Sequence, residues 1–527
     1  MKDPVMTELP HYHQTEEYHS RVKKLQEIRE AGIEPYPSVG PDSDPIIAIQ
    51  ERYAKQEIGN SDGAMNKSTP RATISGRLML FRPMGKNIFG QIEDSTGRLQ
   101  IMLNRDITTL TNYSATDATS AFKFIEKKSD LGDFLSIEGH LFRTQKGELT
   151  LLGNEVTFLC KSLLPLPEKH VGLTDKNLRY KKRWLDLIDH SDVRKTFQIR
   201  SQILQIIRNF FATNQFIEVE TPVLQNIYGG AAARPFSTHL HAMDQEMFLR
   251  ISLEIPLKKL IIGGLEKIFE IGKVFRNEGM DRTHNPEFTM LEAYASYWDY
   301  FAVMDFIEKI YSTIALELFG TTIIGPFVVD GKEVNIDLKA PWKRLTMQEA
   351  IYTYGKIDIE TLSDADMTAL LQKTSINKKK LQNASRGLLI AYLFEEFAER
   401  HLIQPHHIYD HPIETTPLCK PHRNAKLREK GLVERFETFI LGVECCNAYS
   451  ELNDPLLQRK LLEKQVSLQQ AGDAEAHPMD EEFLEALCQG MPPTGGFGIG
   501  IDRLVMLFTK CYSIRDVLFF PILKSED

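Results

Sequence analysis

Apolar residues recur at helical spacing early in the chain, where Val22, Leu25 and Ile28 stand among charged neighbours until Gly32 and Pro35 stop the pattern. The spacing predicts an amphipathic helix over residues 15–31. Residues 38–70 are rich in Pro, Ser, Asp, Asn and Gly and read as a linker. From Arg71 the period becomes two, in runs such as Thr73-Ile74-Ser75-Gly76-Arg77-Leu78, Leu99-Gln100-Ile101-Met102-Leu103 and Phe134-Leu135-Ser136-Ile137-Glu138-Gly139. Turn residues lie between them, at Asp94-Ser95-Thr96-Gly97 and Lys146-Gly147. Several short strands so close together predict a small β-barrel. Leu163-Leu164-Pro165-Leu166-Pro167 reads as a stiff hinge. After it, long helical patterns alternate with β-rich segments. One helix covers about residues 193–213, with Phe197, Ile203, Leu204, Ile207 and Phe211 on one face. A strand-like run, Phe216-Ile217-Glu218-Val219-Glu220-Thr221-Pro222-Val223-Leu224, follows it and breaks at Pro222. Residues 356–400 are mostly helical and carry no recognisable chemistry, as an inserted subdomain would.

At 527 residues the chain is too long for one core. Its parts read as a helix and linker (1–69), a barrel (70–165) and a large mixed domain (166–527). With 42% apolar and 26% charged residues, the composition is that of a folded globular protein. No leader or membrane-spanning stretch is visible, which predicts a cytoplasmic protein. The six cysteines are scattered without a C-x-x-C pair, so neither a zinc site nor a disulfide framework is expected. His406, His407 and His411 invite a metal reading, but loop histidines are more often unliganded. The net charge of −9 excludes a protein that coats nucleic acid nonspecifically, so any such contact must come from local patches. The basic run Arg179-Tyr180-Lys181-Lys182-Arg183 is equally a nucleic-acid contact or a solvated helix face.

Three further strings carry chemistry. In Val274-Phe275-Arg276-Asn277-Glu278-Gly279, continuing through His284, Asn285, Phe288 and Glu292, an arginine enters a glycine turn and the chain returns through an apolar strand. That describes a hairpin with charges at its mouth. Gly495-Gly496-Phe497-Gly498-Ile499-Gly500-Ile501-Asp502-Arg503-Leu504 puts glycines before a helix, where backbone can approach a ligand closely. No β-α-β pattern with a following acidic residue supports a dinucleotide fold there. Glu437 and Glu444 lie in an otherwise apolar segment, where a carboxylate pair needs a reason.

Together these strings resemble motifs 1, 2 and 3 of the class II aminoacyl-tRNA synthetases, over essentially residues 15–524. The resemblance implies an α+β catalytic domain, built on an antiparallel sheet flanked by helices and preceded by an OB-fold barrel. The motif 1 run at residues 216–224 would build a homodimer interface. Arg276 would bridge the amino-acid carboxylate and the α-phosphate of ATP, two anions whose repulsion a guanidinium fork offsets. Arg276 and Arg503 would be the catalytic pair, with Arg503 on the γ-phosphate and the adenine face. Glu278 would accept from the adenine amino group, Phe288 would stack beneath the ring, and His284 and Asn285 would line the phosphate side. Glu437 and Glu444 would hold ATP-bound Mg²⁺.

Gly229-Gly230-Ala231-Ala232-Ala233-Arg234-Pro235-Phe236, Asn447-Ala448-Tyr449-Ser450-Glu451-Leu452-Asn453-Asp454 and Ala471-Gly472-Asp473-Ala474-Glu475-Ala476 resemble the lysine-specific members of the family; aspartate and asparagine members differ here. The implied activity joins L-lysine to ATP as lysyl-adenylate and transfers lysine to the 3′ end of tRNA(Lys). Glu451 with Tyr294 would meet the ε-ammonium, and Tyr449 with Tyr294 would wall the methylenes. Glu254 and the Gly230 carbonyl would hold the α-ammonium, with Glu292, Asn447 and Arg276 lining the site. The barrel resembles the family's anticodon domain, so Phe89 would stack on an anticodon base while Arg82 and Gln100 read base edges. Two departures stand out. Pro256 interrupts a commoner Ala-Pro-Glu-Leu-Tyr pattern and should fall in a first helical turn. Gly495 replaces a common alanine, expected to widen the adenine side of the pocket. A paralogue that lysylates a protein would lack the barrel, and an inactive RNA-binding homologue would have lost Arg276, Glu437, Glu444 or Arg503; this chain has them all.

Overall fold

In the computed structural model, residues 10–114, 117–167, 173–382, 384–470 and 475–524 are described. The chain divides into two compact units, Met1–Gly172 and Leu173–Asp527.

The first unit is a closed barrel. Its strands are β1 (Arg71–Met84), β2 (Asn87–Glu93), β3 (Arg98–Asn104), β4 (Thr109–Leu110), β5 (Phe134–Arg143) and β6 (Leu149–Cys160). Antiparallel pairs run β3-β2-β1-β5-β6, and β3 meets β6 in parallel, Gln100 opposite Thr150, to close the ring. Period-two alternation sends Ile74, Leu78, Ile88, Ile92, Ile101 and Ile137 inward, all fully buried. The helix Ala118–Lys128, capped by Asp117, adds Phe122 and Ile125 to the same core. The predicted N-terminal helix is present as Glu16–Glu30, started by Thr15, whose side chain accepts from the Tyr18 amide.

Residues 38–70 are not a plain linker. They fold into the helices Ile46–Arg52 and Ser61–Met65, and Ile46, Ile49 and Ile58 are buried in the barrel core. The seven-residue helix has no local cap; instead Asp94, in a turn of the barrel, accepts from the Ile46 amide at 2.8 Å. A cap supplied from so far along the chain leaves no trace in the local pattern.

The second unit is built on an eight-stranded sheet. In chain order its strands and their neighbours are β7 (Ile217–Glu218), β8 (Leu224–Gln225), β9 (Ser237–Leu240), β10 (Gln245–Leu249), β11 (Lys267–Phe275), β12 (Glu287–Ser296), β13 (Ile323–Val329), β14 (Lys332–Asp337), β15 (Lys343–Thr346), β16 (His406–Pro412), β17 (Leu432–Ile440), β18 (Val443–Ser450) and β19 (Thr494–Gly500). The large sheet has the order β15-β16-β17-β18-β19-β12-β11-β7, antiparallel throughout except at its two ends. One face packs on the helices Ser191–Thr213, Tyr300–Phe319 and Ile501–Thr509, around Ile203, Phe211, Ile307, Phe436, Phe497 and Leu504. The long helix buries Phe197, Ile203, Ile207 and Phe211 as its spacing predicts, with Leu204 at the margin. Within residues 356–400, the helices Asp364–Leu371 and Arg386–Phe397 enclose their own apolar cluster against Ile408 and Phe439 of the sheet. The mixed α+β architecture is the expected one. No helix among the described residues is long and apolar enough to cross a membrane.

The basic run at residues 179–183 is split: Lys181 and Lys182 are exposed, whereas Tyr180 and Arg183 turn inward. Arg183 is buried and donates to the carbonyls of Arg515, Leu518 and Phe519 while pairing with Asp186, so it ties down the end of the chain. Tyr180 is buried beside it and donates to Asp516.

Because Ile49 completes the barrel core, Ile49→Ala should destabilise that unit by about 2–4 kcal/mol. Denaturant unfolding followed by hydrogen exchange of the barrel amides reads this. A loss below about 0.5 kcal/mol would mean that the segment merely lies on the surface.

Candidate active site

The face of the sheet opposite the helices carries the polar residues, and strand alternation puts them there. In β12, Leu291, Ala293 and Ala295 enter the helix-covered core, which turns Met290, Glu292 and Tyr294 toward a cavity of about 480 Å³. In β18, Cys446 and Ala448 enter the core, and Asn447 and Tyr449, with Glu451 beyond the strand end, face the cavity. β19 runs between them with Phe497 and Ile499 on the core side and Gly496 and Gly498 beneath the cavity. Glycine is required there. A Cβ on Gly496 would lie 2.1 Å from Glu451 Oε1 and 2.5 Å from the Tyr294 ring, and one on Gly498 would lie 2.8 Å from Met290 Cε.

The same alternation corrects the expectation for Gly495. It faces the core, where an added Cβ would meet Val303 Cγ2 at 2.8 Å and Trp298 Cβ at 3.2 Å. Its effect is on packing under the sheet, not on the width of the cleft.

A smaller cavity of about 240 Å³ adjoins the first and shares Arg276, Met290, Glu444, Asn447 and Gly498 with it. Glu278, His284, Asn285, Phe288 and Arg503 line only this part. Arg276 leaves the end of β11 with its guanidinium over the Phe288 ring, 5.2 Å from the centroid. The enclosure lowers the Arg276 guanidinium from its ordinary value, and Glu278, Glu292 and Glu444 pull it back. Arg503, in the first turn of the helix Ile501–Thr509, donates to the Glu444 carbonyl at 3.0 Å and reaches His284 Nε2 at 3.0 Å. Since an arginine cannot accept, His284 holds its proton on Nδ1 and donates it to Asp281 Oδ2 at 2.8 Å. Partial burial would raise Asp281, but donors from Thr283 and His284 outweigh it and hold the carboxyl down at about 2.

Glu437 and Glu444 project from paired strands β17 and β18. Glu437 is held by Arg435 at 2.6 Å, and Arg435 also donates to Asn447 at 3.0 Å. Glu444 faces Arg503 at 3.4 Å. Burial, with the charge of Glu437 next, pushes the Glu444 carboxyl up. Two carboxylates on neighbouring strands, open to a cleft with room for phosphate oxygens, fit a divalent cation. Glu399, in the helical segment that seemed to carry no chemistry, is raised to about 7 by burial and by Glu437, Glu395 and Glu444. The three histidines of β16 each have separate partners: His406 with Tyr354, His407 with Thr438, and His411 with the Ile408 carbonyl. No group of three or more metal-binding side chains occurs among the described residues.

The large cavity is ringed by acids. Glu292 accepts from the Leu253 amide at 2.9 Å, Ser252 at 3.0 Å and the Tyr294 hydroxyl at 3.0 Å. Tyr294 therefore serves Glu292 and not Glu451. Burial, then the charge of Glu254, pushes the Glu292 carboxyl up to about 7. Glu254 opens the helix Glu254–Ile262, with Pro256 in its first turn as expected. Tyr449 donates to Glu254 Oε2 at 2.6 Å. Gly230 has a positive φ of 86°, and a Cβ on it would meet Ser252 Oγ at 2.6 Å, so only glycine lets that backbone lie against Glu254. One residue of this site is absent from the reading of the sequence: Lys258. Its buried ammonium contacts Glu254 Oε1 at 2.5 Å and also Glu451. The signal was a Glu-Lys pair four residues apart, which usually means a surface ion pair; here apolar Leu257 and Ile261 beside it are buried too. Of the string at residues 471–476, residues 471–474 lie outside the described residues, while Glu475 and Ala476 line the cavity.

On the barrel, Arg82 lies opposite Phe89 in the β1–β2 register, and Gln100 pairs with Gln91 on β3, two residues from the Phe89 pair. Phe89 is half-buried on the outer surface beside Met102, Phe142 and Leu152, outside the main core.

Residues 175–524 match the family described as tRNA synthetases class II (D, K and N), and residues 72–159 match the OB-fold nucleic acid binding domain. The chain belongs to the class II tRNA synthetases of the D, K and N group. It is 53% identical to the lysine–tRNA ligase of Chlamydia pneumoniae over 99% of both chains, and 54% identical to that of Chlamydia caviae over 97% of both. The lysine–tRNA ligase of Moorella thermoacetica is 43% identical over 96% of this chain and 97% of its own.

Glu292 yields a pH prediction. Its carboxyl is higher in the folded state than in the unfolded chain, so the stabilisation from its protonated form is full below the unfolded value and lost as pH rises through about 7. Between pH 4.5 and 8 the free protein should lose on the order of 3 kcal/mol relative to Glu292→Gln. Melting temperatures of both proteins across that range test it; parallel curves would refute it.

Proposed function

We propose that this chain is a lysine–tRNA ligase. Lysine carboxylate oxygen attacks the α-phosphorus of ATP, pyrophosphate leaves, and the lysyl group passes from the adenylate to the 3′ end of tRNA(Lys). The carrying observation is the acid-rich cavity between Tyr294 and Tyr449, joined at Arg276 to a second cavity that holds Arg503 and His284. Glu451 and Glu254 take the two ammonium groups, with the Gly230 carbonyl, Glu292 and Asn447 around them. Arg276 takes the carboxylate and the α-phosphate, where it neutralises charge as the transition state forms. Glu278, Asn285 and Phe288 hold adenine and ribose, and His284 and Arg503 hold phosphate. Glu437 and Glu444 are the residues that would hold Mg²⁺, which offsets phosphate charge when bound.

The barrel reads the anticodon through Phe89, Arg82 and Gln100. A homodimer forms through the motif 1 segment: β7 is an edge strand, and Ile217 and Leu224 stay 52% and 43% exposed in one chain. The enzyme works in the cytoplasm.

ATP–pyrophosphate exchange with each of the twenty amino acids tests the reading. Lysine alone should support fast exchange without tRNA; equal exchange with aspartate or asparagine would overturn it. Separately, Phe89→Ala should leave exchange unchanged while weakening tRNA charging by the loss of one stacked base, about 1–3 kcal/mol. If exchange falls as far as charging, Phe89 is structural.

A further inference from the structure

Lys258 does not line the amino-acid cavity. It stands behind it, on the helix Glu254–Ile262, and its ammonium reaches Glu254 and Glu451 from the protein side. The rings of Tyr449 and Phe483 lie 5.5 and 5.9 Å from its nitrogen and close off other approaches. The second oxygen of Glu451, Oε1, is buried, rests against the bare backbone of Gly496, and accepts no hydrogen bond from the described residues. It is an unsatisfied acceptor on a residue that lines the cavity. The titratable groups that face Lys258 are Glu254 on its own helix, Glu451 and Tyr449 from β18 and its end, His477, and Cys419; Glu292 on β12 acts on Glu451. Burial holds His477 down at about 4 and raises Tyr449 and Cys419, so these three are neutral near pH 7. That leaves Glu254 and Glu451 as the two carboxyl groups that the Lys258 ammonium holds.

We propose that Lys258 is a positioning residue for amino-acid selection: it clamps Glu254 and Glu451 to one shared cation and so fixes, at one spacing, the two carboxyl groups that meet the ammonium groups of a diamino acid. This rests on the lysine reading above. Burial alone would lower the Lys258 ammonium, but the two carboxylates outweigh it and hold it above its ordinary value, so the clamp stays charged over the working pH range. The α- and ε-ammonium groups of lysine then meet Glu254 and Glu451 where the clamp holds them, while its carboxylate lies at Arg276. A monoamino acid leaves one of the two carboxyl groups unmatched, which costs binding. Without Lys258 the two carboxyl groups lose their shared cation and the spacing that suits two ammonium groups.

The test uses full-length wild type, Lys258→Met and Lys258→Arg. ATP–pyrophosphate exchange gives KM for lysine and for ATP. Lys258→Met should raise the lysine KM at least about thirty-fold with the ATP KM within about two-fold, since a charged buried contact is lost on one side of the cleft only. Lys258→Arg should recover part of the lysine KM. If Lys258→Met does not fold, Lys258→Gln carries the same comparison. A lysine KM within about three-fold of wild type overturns the proposal. So does a parallel loss of lysine and ATP affinity with a lowered melting temperature, which would mark Lys258 as structural. Absence of lysine-dependent exchange in wild type would instead sink the ligase reading, and this proposal with it.

Discussion

A buried carboxylate without a counter-charge costs several kcal/mol, and this protein gathers Glu254, Glu292 and Glu451 at one cavity, with one buried ammonium in contact with two of them. Much of the local structure exists to tolerate that imbalance. The start of the helix Glu254–Ile262 turns a free amide toward Glu292, and Ser252 and Tyr294 add two more donors. Even so, Glu292 and Glu451 are pushed upward, which means that the empty pocket is under electrostatic strain. A dicationic ligand relieves that strain on binding, so affinity and selectivity come from one source.

The imbalance is possible only because the sheet offers bare backbone at its centre. β19 lies between β12 and β18, and its cavity-facing positions are glycines. Any side chain at Gly496 would occupy the space of Glu451 and Tyr294. The three neighbouring strands therefore divide the work: two carry acids and tyrosines, and the middle one gives them room. Helices seal the reverse face with a dry core, which fixes strand alternation and hence which residues reach the cleft.

Much of this was readable from the chain because the chemistry is packed into short strings. Arg276 to Glu292 is a single hairpin, and the glycine string and Arg503 are consecutive, so residue type and spacing already describe the cleft. What escaped depends on distant partners. Lys258 looks like half of an ordinary i,i+4 pair until Glu451, nearly two hundred residues later, is brought to its other side. The helix Ile46–Arg52 is started by Asp94, so composition alone made residues 38–70 look unstructured. Gly495 and Gly496 are indistinguishable in sequence, yet face opposite sides of the sheet. The hydrogen bond from the Tyr294 hydroxyl to Glu292, on the same face of the same strand, was likewise not read from the sequence.

The two adjoining cavities differ in their charged groups, and that difference orients the reaction proposed for them. Glu254, Glu292 and Glu451 line only the large cavity, whereas the small one brings Arg503 beside the shared Arg276. An amino acid with two ammonium groups can lower its energy only by entering the acidic end, which forces its carboxylate toward Arg276. ATP can place its phosphates only at the cationic end, against the same arginine. The two anions that must react are thereby brought to one guanidinium, the single group whose fork of donors can serve both at once. Lysine at position 276 would keep the charge but lose the fork, and a lone ammonium could not hold carboxylate and phosphate in a shared geometry. Orientation therefore follows from the placement of charge along the cleft, with no need for a moving part to align the substrates.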